Sequence, residues 1–119
     1  MAGRNKDKLE QVKSDFELEC DVIVAHGDDL ESLKSLASHT KVVLSTAGPF
    51  ARYGSLLVQA CVEEGAHYTD ITGENHWVRG LIDQHHSEAT AKGIRIIPSC
   101  GYDSIPSDLG AFFTISQFN

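Results

Sequence analysis

Proline is scarce in this chain, with three in 119 residues, and cysteine is equally rare, as Cys20, Cys61 and Cys100, far apart and with no CxxC pair. Neither a disulfide framework nor a zinc ribbon is supported by that pattern, and a reducing compartment fits it best. Basic residues are outnumbered, 10 Lys and Arg against 17 Asp and Glu, for a formal net charge of −7. Such a balance argues against a broad electrostatic footprint for nucleic acid or for an anionic membrane surface. No apolar run approaches the roughly 18 residues of a membrane span. The opening MAGRNKDKLEQ is polar where a signal peptide needs an apolar stretch. The GxGxxG turn that seats a pyrophosphate on a helix N-terminus is also missing. The expectation is a cytoplasmic globular chain without a transmembrane segment, forming one domain or part of one.

What the chain does contain is a repeated unit. Four β-branched runs, Asp21 to Ala25, Lys41 to Ser45, His67 to Thr72 and Ile94 to Ile97, alternate with segments of helical periodicity. Leu30, Leu33, Leu36 and Ala37 form one apolar stripe, Leu57, Ala60 and Cys61 another, and Trp77, Val78, Leu81 and Ile82 a third. Gly65 and Gly93 stand where two of these helices should stop in a left-handed turn. Asp28 or Asp29 is placed to cap one helix, and Ser107 or Asp108 lies near the start of the last. Strands and helices alternating in this way predict an α/β fold of βαβ units, a parallel sheet with flanking helices. The first segment, with Leu9, Val12 and Phe16 at helical spacing, predicts a solvated helix with no full strand before it.

In an open parallel sheet ligands bind beyond the carboxyl ends of the strands. Those junctions read AHGDD, STAGPF, DITGEN and PSCGYDSIP, each with one glycine. Glycine lets backbone approach a ligand or turn through positive φ, and Gly101 is the expected bend in the last junction. Cys100, directly after a buried run, is expected to be a small packed thiol rather than a nucleophile, since nothing places a histidine beside it. His85 and His86 are adjacent on a helix and cannot chelate as an i, i+4 pair would. Trp77 reads as a core anchor.

The run VVLSTAGPFARYGSLLVQACVEEGAHYTDITGE, followed by SCGYDSIPSDLG, resembles the saccharopine dehydrogenase-like oxidoreductases, whose relatives include the trans-acting enoyl reductases of lipid synthesis. The resemblance covers nearly the whole chain, from AGRNKDKL to DLGAFF. It implies a nicotinamide dinucleotide cofactor, NAD or NADP, and hydride transfer to a small-molecule substrate that is lipid-like or derived from an amino acid. By the same resemblance Arg4 meets the adenosine ribose or the 2′-phosphate, which favours NADP. Asp28 would flank the adenine, or else cap its helix. Thr46, Ala47, Gly48 and Pro49 would pass beside the ribose and nicotinamide end. Glu74 would orient substrate or cap the helix that starts at Asn75. Tyr102 and Asp103 would assist with a proton at the substrate.

The resemblance implies an α/β, partial Rossmann-type parallel sheet with flanking helices, since the family's Rossmann domain opens with a strand and a glycine-rich turn that would lie upstream of Met1. Residues 1–119 are therefore expected to be the C-terminal part of such a domain, lacking the first strand, most of the second and the substrate domain. Asp21 to Ala25 would lose its inner neighbour, and the later strands would form a three-stranded piece. The isolated chain would bind cofactor poorly and be inactive. The parent protein could sit at lipid droplets or an organelle membrane. A different class of reading is a truncated, non-enzymatic α/β module that associates, as a homo-oligomer among other forms, through its exposed sheet edge.

Overall fold

The computed structural model describes residues 1–118. Its elements alternate as the periodicity predicts: β1 (Ala2–Gly3), α1 (Lys6–Asp15), β2 (Ile23–Val24), α2 (Leu30–Ser38), β3 (Val42–Ser45), α3 (Phe50–Glu64), β4 (His67–Asp70), α4 (Asn75–Lys92), β5 (Ile96–Ile97) and α5 (Ile105–Ser116). Local chemistry sets most of the boundaries. The Asn5 side chain accepts from the Lys8 N–H at 2.9 Å and starts α1, and Asp29, not Asp28, accepts from Glu31 and Ser32 to start α2. Gly65 and Gly93 end α3 and α4 at φ of 78° and 66°, left-handed values that glycine adopts without a Cβ penalty. The last helix starts earlier than expected. Its N-cap is Ser104, Pro106 lies in the first turn, and Asp108 follows inside it, where its charge suits the helix N-terminus.

All strand pairings are parallel, in two separate sheets, β1-β2 and β3-β4-β5. The contiguous three-stranded piece matches the expectation. The fate of the Asp21 to Ala25 run does not, because β2 does find a neighbour: Ala2 pairs with Ile23 and Gly3 with Val24. Two residues of β1 are enough to hold it, since the Ile23 N–H donates to the Met1 carbonyl at 2.9 Å and the Ala25 N–H to the Gly3 carbonyl at 3.1 Å.

The three-stranded sheet is covered on one face. Val43 and Ser45, Tyr68 and Asp70 point into a core that includes Leu33, Ala37, Phe50, Val58, Ala60, Cys61, Val62, Trp77 and Leu81. Strand alternation sends Val42 and Leu44 the other way, where they are 50% and 65% exposed. Each fully buried aliphatic side chain such as Val58 stabilises the covered face by about 1.5–3 kcal/mol. The junction of α3 and α4 is tighter still. Phe50 stacks on Trp77 with ring centroids 5.9 Å apart, and the Trp77 Nε1–H donates to Ser55 Oγ at 2.9 Å. A Cβ on Gly54 would stand 2.6 Å from the indole, so Gly54 is the cavity into which Trp77 packs.

Elsewhere the packing is thin. No residue of α1 or α5 is buried. Leu9 reaches toward Gly3, but Phe16 is 71% exposed, and α5 presents Leu109, Phe112 and Phe113 to solvent.

Candidate functional site

The carboxyl ends of β4 and β5 are joined by one buried carboxylate. Asp70, fully buried, accepts from the Tyr68 hydroxyl and from the backbone N–H groups of Thr72 and Ser99, each at 2.9 Å. Its own carbonyl accepts from the Cys100 N–H at 2.7 Å. One residue thus orders two junctions, its own and the one after β5. Burial pushes the Tyr68 phenol well above its ordinary value, and the neighbouring Asp70 carboxylate pushes it further in the same direction. The neutral phenol is therefore the form that donates. Burial alone drives the Cys61 thiol up to about 12, which makes it an inert packing group.

The last junction turns at an unexpected residue. Ser99, not Gly101, carries the left-handed backbone, at φ 62°. Its amide bond to Asp70 holds that strained conformation. Gly101 is small for a different reason, since a Cβ there would lie 3.1 Å from the Ile71 Cβ. Cys100 also departs from expectation. Its thiol is exposed rather than packed, turned toward the Ile97 carbonyl at 3.4 Å, and the buried cysteine is Cys61.

Glu74 departs from it as well. Its carboxylate makes no capping bond to α4 but reaches back to the start of α3, where Oε1 accepts from the Phe50 N–H at 2.7 Å and Oε2 from the Ala51 N–H at 3.1 Å. Its own amide donates to Thr72 Oγ1 at 3.0 Å. The α3 N-terminus, preceded by a cis Gly48–Pro49 peptide, thus holds an anion supplied by the chain itself.

Between the two sheets lies a cleft of about 1310 Å³. It is lined by β1 and the start of the following turn through Arg4, by the 26–28 turn, and by β3 continuing through Gly48. Arg4, Asp28, Thr46, Ala47 and Gly48, which lie far apart in the chain, all face this one space. The 26–28 turn is fixed by Ser32, whose Oγ accepts from the His26 N–H at 2.9 Å. Pro49 is outside the lining and serves as the N-cap of α3. Tyr102 and Asp103 are not brought to the cleft. They occupy the exposed turn before α5, where Tyr102 is 90% exposed and the Asp103 carbonyl accepts from Ser107 Oγ at 3.1 Å.

Sequence reasoning left Asp70 and Ser99 without the roles they have here. The signal for Asp70 was present, because in HYTDIT it shares the inward register with Tyr68, and an acid on a buried strand face must be satisfied by neighbours. Ser99 had no comparable local mark, since its conformation comes from a residue 29 positions away.

The cleft suits a dinucleotide in part. Small side chains at Thr46, Ala47 and Gly48 admit a sugar or ring closely, and Arg4 offers a charged fork at the opposite rim. The volume exceeds the roughly 300–1,000 Å³ of ordinary small-molecule pockets, in keeping with two sheet edges standing apart.

Comparison with known proteins agrees with this architecture. The family model described as the saccharopine dehydrogenase NADP binding domain matches residues 1–97. A trans-acting enoyl reductase of Mycobacterium leprae (strain TN) is 42% identical over 119 residues, covering 94% of this chain and 28% of that protein. A saccharopine dehydrogenase-like oxidoreductase of Mus musculus is 38% identical over 128 residues, covering all of this chain and 30% of that one. The chain therefore spans less than a third of the length of these curated relatives. Among solved structures, the apo histidine-tagged saccharopine dehydrogenase (L-Glu forming) of Saccharomyces cerevisiae superposes with a TM-score of 0.81 at 17% identity, over 98% of this chain and 24% of that one. The fold is that of its Rossmann domain, the cofactor is NAD(P), and the chain belongs to the saccharopine dehydrogenase NADP-binding domain family.

Proposed function

We propose that this chain contributes to both the adenosine side and the nicotinamide side of the cofactor site in an NADP(H)-dependent oxidoreductase acting on a lipid-like or amino-acid-derived substrate. The observation that carries the reading is the convergence of Arg4, Asp28 and Thr46 to Gly48 on one cleft at the carboxyl ends of parallel strands. Bound there, the cofactor would supply the hydride, and the chain's own residues would hold and orient it. Arg4 would pair with the 2′-phosphate through its forked N–H donors, the feature that favours NADP over NAD. Asp28 would stand at the adenine edge. The 46–48 turn would press against the ribose and ring through backbone, with water excluded by the small side chains. Tyr102 and Asp103, exposed on the turn before α5 and away from the cleft, would meet substrate only with a further protein surface in place. The relatives' names, enoyl reductase among them, support reduction as the direction of chemistry and a lipid-like substrate class.

Titration of the labelled full chain with NADPH, followed by amide shifts, tests the reading. Weak binding, well short of micromolar, should perturb residues 4, 28 and 46–48 together, and NADH should perturb residue 4 less. Shifts confined elsewhere, or none at millimolar NADPH, would sink it.

A second reading is favoured by the surface area. The chain exposes 8241 Å², whereas a compact 13.0 kDa monomer exposes about 6300 Å². The excess on this one chain is more than the roughly 800 Å² that each partner buries in a standard interface, leaving room for an α/β module that associates through the β3 edge. A clean monomer in light scattering at high concentration would remove that alternative.

A further inference from the structure

We infer that Glu74 is a positioning residue that plugs the N-terminus of α3 with a built-in anion, fixes the 46–49 turn, and reserves that turn for the uncharged part of a bound dinucleotide. The functional half of this inference rests on the cofactor reading above. The plug itself rests on hydrogen bonds alone.

An open helix N-terminus beside a ligand cleft attracts phosphate, because its first N–H groups have no partner inside the helix and the helix dipole favours negative charge. The α3 terminus is the one that directly follows the cleft-lining Thr46, Ala47 and Gly48, so it is where a pyrophosphate would otherwise be drawn. Its Phe50 and Ala51 N–H groups are already taken, at 2.7 and 3.1 Å, by the two oxygens of Glu74. The Glu74 carboxylate is itself held from behind. Its amide bonds to Thr72 Oγ1, and Thr72 is buried with its own amide on Asp70. Two residues on, Trp77 packs against Phe50 and Gly54 and bonds Ser55. Glu74 is thereby braced by the sheet on one side and by the α3–α4 junction on the other. A phosphate at this turn would meet a fixed carboxylate in place of donors, and like-charge repulsion would turn it away. A ribose or an amide-bearing ring meets no such penalty.

Inorganic phosphate titrated into the isotopically labelled full chain tests the plug directly. In the wild type the Phe50 and Ala51 amide resonances should stay fixed as phosphate is added. In Glu74→Ala they should start at shifted positions and move saturably, with apparent phosphate affinity at least about tenfold higher. Glu74→Gln keeps an acceptor without the charge. It should hold the Thr46 to Gly48 resonances near their wild-type positions, a rescue that mere filling of space would not give. If Glu74→Ala fails to fold, the Gln variant against wild type carries the comparison, with a smaller gain in phosphate response. Wild-type Phe50 and Ala51 resonances that follow phosphate as strongly as the variants' would overturn the inference, as would variants whose Phe50 and Ala51 shifts match the wild type. Adding NADP⁺ to the same samples separates the two claims. If NADP⁺ moves no residue of 46–48 in any sample, the cofactor reading fails, while the phosphate response still judges the plug. If NADP⁺ does bind, perturbation of Phe50 and Ala51 in Glu74→Ala but not in wild type supports exclusion of phosphate, and equal perturbation in both refutes it.

Discussion

The two faces of the three-stranded sheet are built from the same strands and differ in everything that follows. On one face Val43, Ser45, Tyr68 and Asp70 meet α3 and α4 in a core whose buried members include Val58, Ala60 and Cys61, all without measurable exposure. On the other, Val42, Leu44, Ile71 and Ile97 are about half exposed or more. The covered face also satisfies its own polar groups. Among the described residues no buried side-chain nitrogen or oxygen lacks a partner. Stability is therefore concentrated on the covered face, and the cleft that gathers the candidate cofactor residues opens beside the β3 edge, sharing Leu33 and Val43 with that core.

The sharpest way to break the comparison is to remove one large aromatic from each half. Trp77→Ala should cost about 3–5 kcal/mol in urea denaturation, because it empties the space between Phe50, Gly54 and Leu81. Phe112→Ala, at a position 72% exposed, should change the midpoint by no more than about 0.5 kcal/mol. Equal costs would mean that α5 is packed in solution and the asymmetry is not real.

Asp70→Ala should come next, at about 3 kcal/mol, since it strands the Tyr68 hydroxyl and two backbone N–H groups in a buried site. Loss should be accompanied by faster amide exchange at Ser99 and Cys100, both of which this residue holds. Normal protection there after the substitution would show that the loop is ordered by something other than Asp70.

How far these features were legible in the sequence follows the same division. The order of elements, the parallel sheet and the glycine helix stops come from period and local propensity, and these were readable. Trp77 as a core anchor was readable too, from its helical stripe. The roles of Glu74, Ser99 and Gly101 were not, because each depends on a residue far along the chain. Glu74 bonds a helix 23 and 24 positions earlier, Ser99 answers to Asp70, and Gly101 is constrained by Ile71. Local chemistry proposes an N-cap for any acid before a helix, and tertiary geometry decides which helix is capped. The candidate cofactor residues divide the same way. Their gathering at strand ends follows from topology, while Tyr102 and Asp103 sit on a turn whose direction is set by Ser99.

Tyr68 offers a pH test of the covered face. Its folded pKa is raised above the ordinary phenol value of about 10. The folded state therefore binds the phenolic proton more tightly than the unfolded chain. The resulting stability is complete below about pH 10 and is lost as pH rises beyond it. Wild type should show a steep alkaline decline in the urea midpoint, and Tyr68→Phe should flatten that decline while costing about 1–2 kcal/mol at neutral pH. A decline unchanged by the substitution would assign the alkaline limb to other groups.

The smallest effect is expected where the two halves are tied at the surface. Helix α2 contributes Leu33 to the core and to the cleft wall, and its Lys34 reaches Glu63 of α3 at 3.0 Å. A hydrogen bond to Glu63 raises the Lys34 pKa, and hydrogen bonds from Gln59 and Lys34 lower that of Glu63. The Glu63 contribution is present above the ordinary carboxylate range and lost as pH falls through its folded value. That of Lys34 is present below the ordinary lysine value and lost as pH rises through its folded one. The pair thus acts in the window between. Both side chains are partly exposed, at 28% and 34%, so the attraction is partly screened, and at 1 M salt, where the Debye length is about 3 Å, little of it survives. Lys34→Met should shift the urea midpoint slightly at low salt and not at all at high salt. A shift that persists in salt would mean that the lysine stem packs against the core, and that α2 is held to the covered half by apolar contact rather than by charge.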